Sequence, residues 1–499
     1  MDRYTAIHNN QTIPLKDIPE SVYKDFLEEN ITLLKDNINR HCVNYFGIEQ
    51  SGRIKLFCCI ADDSTNQILI TSSIVEKGAK LDSFSAHNLN FEKFERELYE
   101  NFNFTYSDHP WLKPVRYAEN RIDKENTMAN YPFLGFDSDE LHEVGVGPVH
   151  AGIIEPGHFR FICNGEQIMH LEIQLGYQHR GIEQLFIQKK DLLQRTILAE
   201  SIAGDTTIGH TTAFVNLWES LSGFQPDPVL KFNRTLALEL ERIAIHTGDL
   251  SALCTDIAYQ LGSSVFGRLR TPIINYFQEW CGNRLAKGLI RAGESNYPYS
   301  EELANRIRKI FSEYEPDFTE MVTKLFKLPS ALSRFERTGV VTFEEVKSIG
   351  TVGMAARMSG LSRDIRASHP HDLYASLNHQ PIVKHHGDVY SRAQIRKEEI
   401  KQSIGYIKSL IENIPTVPLQ KQSLIPRPNS FSLSLVEGWR GEICHCAITD
   451  SKGDLALYKI KDPSFHNWLA LAQAVRNNEI SDFPICNKSF NLSYCGHDL

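Results

Sequence analysis

The side chains in this sequence with the plainest capacity for chemistry are its clustered imidazoles, carboxylates and thiols. His369-Pro-His371-Asp372 and His385-His386 supply metal-ligand types. A tetrahedral site needs four donors at matched spacing, and no third and fourth partner accompanies either group. Cys444 and Cys446 bracket His445. In an extended strand the two thiols point to one face and the imidazole to the other, which argues against a compact three-ligand site. Glu239, Arg242 and His246 fall on one face of a helix by their spacing, and such a charged stripe is expected to lie in solvent. His179-Arg180 and Glu183 read either as a charged patch beside a site or as an exposed helix start. No G-x-G-x-x-G run or P-loop occurs, so nothing supports direct nucleotide binding.

Positioning such groups takes a large framework. At 499 residues the chain exceeds one ordinary core, and two domains are expected, one of them large. A content of 41% hydrophobic and 23% charged residues suits a soluble, well-packed protein. The net charge of -9 argues against a general nucleic-acid binder, which needs a basic face. No stretch approaches the roughly 20 apolar residues of a membrane helix. The opening residues lack a basic segment followed by an apolar one, so no secretory signal is expected. Any membrane association would then run through partners. The ten cysteines are scattered, as suits a reducing cytoplasm.

Strands are expected at 42–47, 54–60 and 67–71, each short, apolar and bounded by polar turns. A helix follows with Phe91, Phe94, Leu98 and Phe102 along one stripe. Prolines 110 and 114 end regular structure. Asn164-Gly165 predicts a hairpin turn. Amphipathic helices are expected at 182–202, 210–222, 230–262, 264–292 and 300–325, and a late one at 391–413 closed by Pro415 and Pro418. The chain returns to strands at 432–436, 442–448 and 455–460.

Phe94-Glu-Arg-Glu-Leu-Tyr-Glu-Asn-Phe102 with His109-Pro-Trp-Leu-Lys-Pro114 resembles the 30 kDa subunit of respiratory complex I. Further on come Gly147-Pro-Val-His150, Glu155-Pro-Gly-His-Phe-Arg-Phe161 and Leu175-Gly-Tyr-Gln-His-Arg-Gly-Ile-Glu183. This ordered triplet resembles the large subunit shared by energy-converting nickel–iron hydrogenases and the complex I 49 kDa subunit. Glu239-Leu-Glu-Arg-Ile-Ala-Ile-His246, Gly282-Asn-Arg284, Gly387-Asp-Val-Tyr-Ser-Arg392, Glu437-Gly-Trp-Arg-Gly-Glu442 and Asp462-Pro-Ser-Phe465 continue it in the family's order. The ending, Asn487 to Leu499, is most similar to the hydrogenase-4 and formate-hydrogenlyase branch. The resemblance implies an α+β fold: a 30 kDa-like domain at 1–120, a linker at 121–140, and a large, mainly helical domain with flanking β-structure at 141–499.

In that family two Cys-x-x-Cys pairs hold nickel and iron, and soft thiolates are what those metals require. The positions that the resemblance assigns to them are Ala203 and Thr206, then Ser464 and Asn467, so hydrogenase activity is not expected. The quinone-binding histidine of complex I falls at Pro156, with Glu155 and His158 beside it, and the quinone tyrosine falls at Ala203. Glu155 stands where hydrogenase relatives carry a proton-relaying acid, or is a solvated turn carboxylate. Asp205 and His210 flank the lost ligand positions and are proton-relay candidates, or hydrogen-bonded core residues.

What the resemblance implies is a peripheral-arm subunit of a membrane-bound oxidoreductase complex, cytoplasmic in location, coupling electron transfer to proton or ion movement. No cofactor is expected on this chain. An iron–sulfur cluster belongs to a partner small subunit, membrane subunits of the complex I or antiporter type lie below, and quinone binding is the open alternative. A scaffold without chemistry is the other alternative.

Overall fold

A computed structural model describes residues 3–35, 37–152, 154–416 and 423–499. Arg40–Gln50, Arg53–Asp62 and Gln67–Glu76 form an antiparallel meander, extended at one edge by Thr5–Ile7 and Glu20–Ser21. These strands read as nearly unbroken apolar runs because both faces of the sheet are covered. One face packs Tyr45, Leu56 and Cys58 against Phe26, Phe91, Phe94 and Leu98 of the covering helices and their approach. The other turns Phe46, Phe57, Cys59 and Ile70 toward a second sheet. Strand alternation thus sends Cys58 and Cys59 to opposite sides.

That second sheet runs Leu455–Lys461, Glu442–Thr449, Ser430–Glu437, Thr12–Pro14. Its last strand comes from the beginning of the chain, so the first and last stretches of sequence share one sheet. Phe57 stacks on Phe431 at 6.2 Å with ring planes 9° apart. A third sheet joins His142–Val146, His158–Asn164 and Gln167–Gln174, with the turn at Gly165 as expected. Between the sheets stand the long helices Thr207–Ser222, Pro228–Asp256, Gln260–Cys281, Glu301–Leu325 and Val389–Leu410. Helix and sheet are thus mixed as expected.

Helix ends differ from the sequence expectation where local capping overrides apolar periodicity. The stretch expected as one helix over 182–202 is two, Ile182–Gln188 and Leu192–Ala199. Asp191 starts the second by accepting from the Gln194 N–H at 3.0 Å. The helix expected to reach 292 stops at Cys281, where Gly282 takes a left-handed conformation. Pro415 follows the late helix, and Pro418 lies outside the described residues.

The largest correction concerns Glu239, Arg242 and His246. They are not a solvated stripe but are at most 1% exposed. Pro228–Asp256 is the central helix, so even its polar face meets protein. Glu239 accepts from Tyr374 and Ser403 at 2.5 Å each; His246 Nε2 lies 2.7 Å from Glu399. Arg357, Arg366 and Asp364 complete a buried ionic cluster with Glu399 and Glu437. Burial opposes the charge on Glu399, yet Arg357 and Arg242 hold its carboxyl well below the ordinary range. Burial, then Asp364, pushes Glu437 up to about 7. Removing one member leaves charges buried without partners. Glu399→Gln is expected to destabilise the chain by roughly 3–5 kcal/mol in urea unfolding, and a loss under about 1 kcal/mol would contradict this account.

Candidate functional site

Three separated stretches meet around Arg440. The first is the loop between Leu192–Ala199 and Thr207–Ser222, where the Thr206 N–H donates to Ala203 O at 3.0 Å and both residues are fully buried. The second is the turn between two strands, Gly438-Trp439-Arg440-Gly441. Gly441 lies so close to Gly353 that a Cβ there would stand 2.7 Å from the Gly353 Cα, so only glycine fits. The third is Asp462-Pro463-Ser464, which opens the helix Ser464–Ala474.

Arg440 reaches out from its turn with the fork geometry of a bidentate pair. Its two terminal nitrogens donate to the Asp205 carboxylate at 2.7 and 2.6 Å, and one also donates to Thr206 Oγ at 3.0 Å. Its Nε donates to Asn491 O at 2.5 Å, and the guanidinium lies 4.0 Å over the Trp439 ring. Trp439 itself donates to Asp205 O at 2.9 Å. The Arg440 side chain is 4% exposed and that of Asp205 38%, so the pair has one buried and one wetted end.

His210 stands one helical turn beyond. Its Nε2 is 3.0 Å from Asp462 Oδ2 and its Nδ1 is 3.1 Å from His445 Nε2. His445 Nδ1 in turn lies 2.8 Å from the Tyr458 hydroxyl. One assignment of protons satisfies every contact: Tyr458 donates to His445, His445 to His210, and His210 to Asp462. Burial, and then His210, keeps His445 well below the usual imidazole range, which fits a neutral ring. Burial opposes Asp462's charge, but His210 and Arg440 lower its carboxyl.

The four positions that the resemblance assigns to metal ligands, Ala203, Thr206, Ser464 and Asn467, converge here. Thr206 binds Arg440 directly. Ser464 donates its N–H to Asp462 at 2.7 Å and accepts from the Ser493 N–H at 2.9 Å. Asn467 exchanges both hydrogen bonds with the Val352 backbone, at 3.1 and 3.2 Å, beside Gly353. Ala203 contributes a methyl group.

The sequence candidates divide. Asp205 pairs with Arg440 and His210 with Asp462, and Arg440 acts on the Asp462 carboxyl through space. Glu155 is half-buried and accepts from the Tyr494 N–H at 3.4 Å, one residue from Ser493, while Gly496 packs against Asp462. Burial, then Glu155, pushes the adjacent Cys495 thiol up to about 12. His158 does not join them. Its neighbour Phe159 packs inward on Trp468 and Phe483, so His158 faces outward, donating to Gly147 O at 3.2 Å and tilting on Phe133.

Arg180 is exposed, yet it is held in place by donating to Ser201 O at 2.6 Å, Ile202 O at 2.8 Å and Cys495 O at 3.1 Å. His179 lies 2.7 Å from Asp498 O, and Glu183 accepts from Lys459 at 2.8 Å. The Cys444 and Cys446 thiols turn to Asn44 while His445 turns to His210, which is the expected alternation. Among the described residues no group of three or more His, Cys, Asp and Glu is arranged to hold a metal ion. No described helix is long and apolar enough to cross a membrane. Sequence reading passed over Arg440, His445, Asp462 and Tyr458 as chemistry. Two of them stand in quoted motifs, and His445 differs from its neighbours only in the face it takes.

The chain is similar to known proteins over much of its length. Residues 262–431 match the family described as the respiratory-chain NADH dehydrogenase 49 Kd subunit. Hydrogenase-4 component G of Escherichia coli (strain K12) is 26% identical over 386 residues, covering 77% of this chain and 67% of that protein. Formate hydrogenlyase subunit 5 of the same organism is 27% identical over 365 residues, covering 73% of this chain and 64% of that one. The chain thus spans about two thirds of the length of these relatives. The fold is similar to a chain of the membrane-bound sulfane sulfur reductase, an archaeal respiratory membrane complex. That match has a TM-score of 0.68 at 19% identity, and covers 73% of this chain and all of that one. Over these stretches the chain is thus similar to the complex I 49 kDa subunit and to large subunits of membrane-bound hydrogenases.

Below Asp205, Glu241 accepts from the Ile208 and Gly209 N–H groups at 2.8 and 3.3 Å. Burial, then Asp205, pushes its carboxyl up to about 8. The folded chain therefore keeps a proton that the unfolded chain releases above about pH 4.3, and stability falls as pH rises from there to about 8. Glu241→Gln cannot titrate. Relative to it, the unsubstituted chain is expected to lose roughly 2–4 kcal/mol between pH 5 and pH 8 by urea unfolding; parallel pH profiles would refute the assignment.

Proposed function

We propose that this chain is the peripheral-arm large subunit of a membrane-bound, hydrogenase-4-like or complex I-like oxidoreductase. In this reading it couples electron transfer in a partner to proton or ion movement without a nickel–iron centre of its own. Residues 1–120 serve as the 30 kDa-like part, 121–140 as the linker and 141–499 as the large subunit. The observation that carries the reading is what stands at the four aligned positions. Hydroxyl, amide and methyl groups do not replace thiolates on nickel and iron. Here three of them are engaged with protein: Thr206 with Arg440, Ser464 with Ser493, Asn467 with Val352. A nickel–iron group does not fit these residues.

What remains is proton chemistry. Asp462 paired to His210 sits where a nearby change of charge alters which partner holds a proton, while Arg440 keeps its charge and holds Asp205 in its fork. A reduced iron–sulfur cluster in a docked small subunit would supply that change, and protonation at Glu155, Asp205 and His210 would pass it on as loop movement. Val149 and Ile154, 80% and 49% exposed on the loop before Glu155, suit a surface covered by a partner. Membrane subunits below, and a cytoplasmic position on the membrane surface, follow from the same family reading.

The test is ion transport by the assembled complex in sealed vesicles. Glu155→Gln and Asp205→Asn are expected to lower the ions moved per electron while electron transfer continues. Unchanged coupling in both variants would remove this function and leave a structural scaffold.

A further inference from the structure

A cavity of about 270 Å³, separate from the Arg440 site, lies where the Glu92–Phe102 helix, the segment 110–115, the Gln167–Gln174 strand and the Ser464–Ala474 helix meet. Trp111, Tyr131, Ile173, Trp468 and Leu469 give it apolar walls. Its size falls just below the range of drug-sized ligand sites, which run from about 300 Å³ upward, and so suits a smaller molecule.

Its charges do not balance internally. Arg96 pairs with Glu92 at 2.5 Å, and Lys113 pairs with Glu172. Lys93 and Arg476, which also line the cavity, have no carboxylate oxygen within 4.0 Å among the described residues. Lys93 Nζ lies 3.4 Å from His497 Nε2 and 5.7 Å from the centre of the Phe465 ring. His497 Nδ1 is 2.8 Å from Asp498 Oδ1, so it donates there and its Nε2 accepts from Lys93. The remaining ammonium hydrogens have no protein acceptor among the described residues. Arg476 has only His170 Nδ1, at 3.3 Å, and is exposed at the rim. Burial lowers the Lys93 amine to about 7, with Glu92 and Asp498 working to raise it and Arg96 and Arg116 to lower it. An anion beside it would restore its charge.

We propose that this cavity binds a small amphipathic carboxylate, its anionic end on Lys93 and its apolar body against Trp111, Tyr131 and Trp468. The apolar walls favour such a molecule over a bare inorganic anion, which would gain nothing from them. Arg476 at the rim draws the anion in. The walls come from six separate stretches of chain, Tyr131 and His497 included, so an occupied cavity also ties those stretches together and stabilises the fold by mass action.

The test uses the full chain and three probes: benzoate, hexanoate and the neutral isostere benzamide, each titrated by calorimetry with thermal unfolding in parallel. Benzoate is expected to bind saturably, and benzamide at least about tenfold more weakly, the worth of one charge-assisted hydrogen bond. Lys93→Met, which keeps the stem and removes the charge, should abolish that preference, and Arg476→Gln should weaken benzoate by a few-fold. No saturable binding of either carboxylate, equal binding of benzamide, or undiminished benzoate affinity in Lys93→Met would each overturn the proposal. Should Lys93→Met fail to fold, the benzoate and benzamide comparison on the unsubstituted chain decides alone.

Discussion

A guanidinium at 4% exposure cannot stand without anions, because taking one charge out of water costs several kcal/mol even after the protein relaxes. Arg440 meets this need through both oxygens of Asp205, the Thr206 hydroxyl and the Asn491 carbonyl. Those contacts draw residues near 205, 440 and 490 to one point. The turn that presents Arg440 requires glycine at 353 and 441, whose backbones touch, and Asn467 fixes the Val352 backbone next to them. The site is therefore one network of mutual constraints, and its members are more than a set of independent polar residues.

Two other buried polar systems flank it. The chain Tyr458–His445–His210–Asp462 runs from the aromatic interior to the Arg440 site with every proton assigned. The cluster around Glu399 packs on the middle of the Pro228–Asp256 helix, joined to the strand turn by Arg242, which donates to Glu437 O and Gly438 O at 2.9 and 3.2 Å. Charges so placed are costly to break and unforgiving of substitution. They also couple distant segments, because moving one partner strands another.

Much of the framework was legible in the sequence for plain reasons. Strands buried on both faces leave continuous apolar runs such as Ile54 to Ile60, and Asn164-Gly165 marks a hairpin regardless of context. Helix ends were less legible, since Asp191 caps a new helix inside an apolar pattern that continues across it. The burial of Glu239, Arg242 and His246 was not legible at all. Their partners Arg366 and Glu399 lie more than a hundred residues away, and only tertiary packing turns a charged stripe inward. Glu155 and His158 show the same limit at short range: three residues apart, the first meets the Tyr494 N–H from the loop and the second opens a strand and meets Gly147 O. Asp462 and Arg440 lay inside quoted motifs, yet each was read for its neighbours.

In the proposed function, Thr206, Ser464 and Asn467 stand as hydrogen-bonding protein where the resemblance expects metal ligands. Nickel is the cleanest readout, because iron would also arrive with the clusters of a partner subunit. Elemental analysis of the purified assembly is predicted to give nickel far below one atom per copy of this chain, even after growth in nickel-supplemented medium. Stoichiometric nickel retained through purification would contradict the central claim.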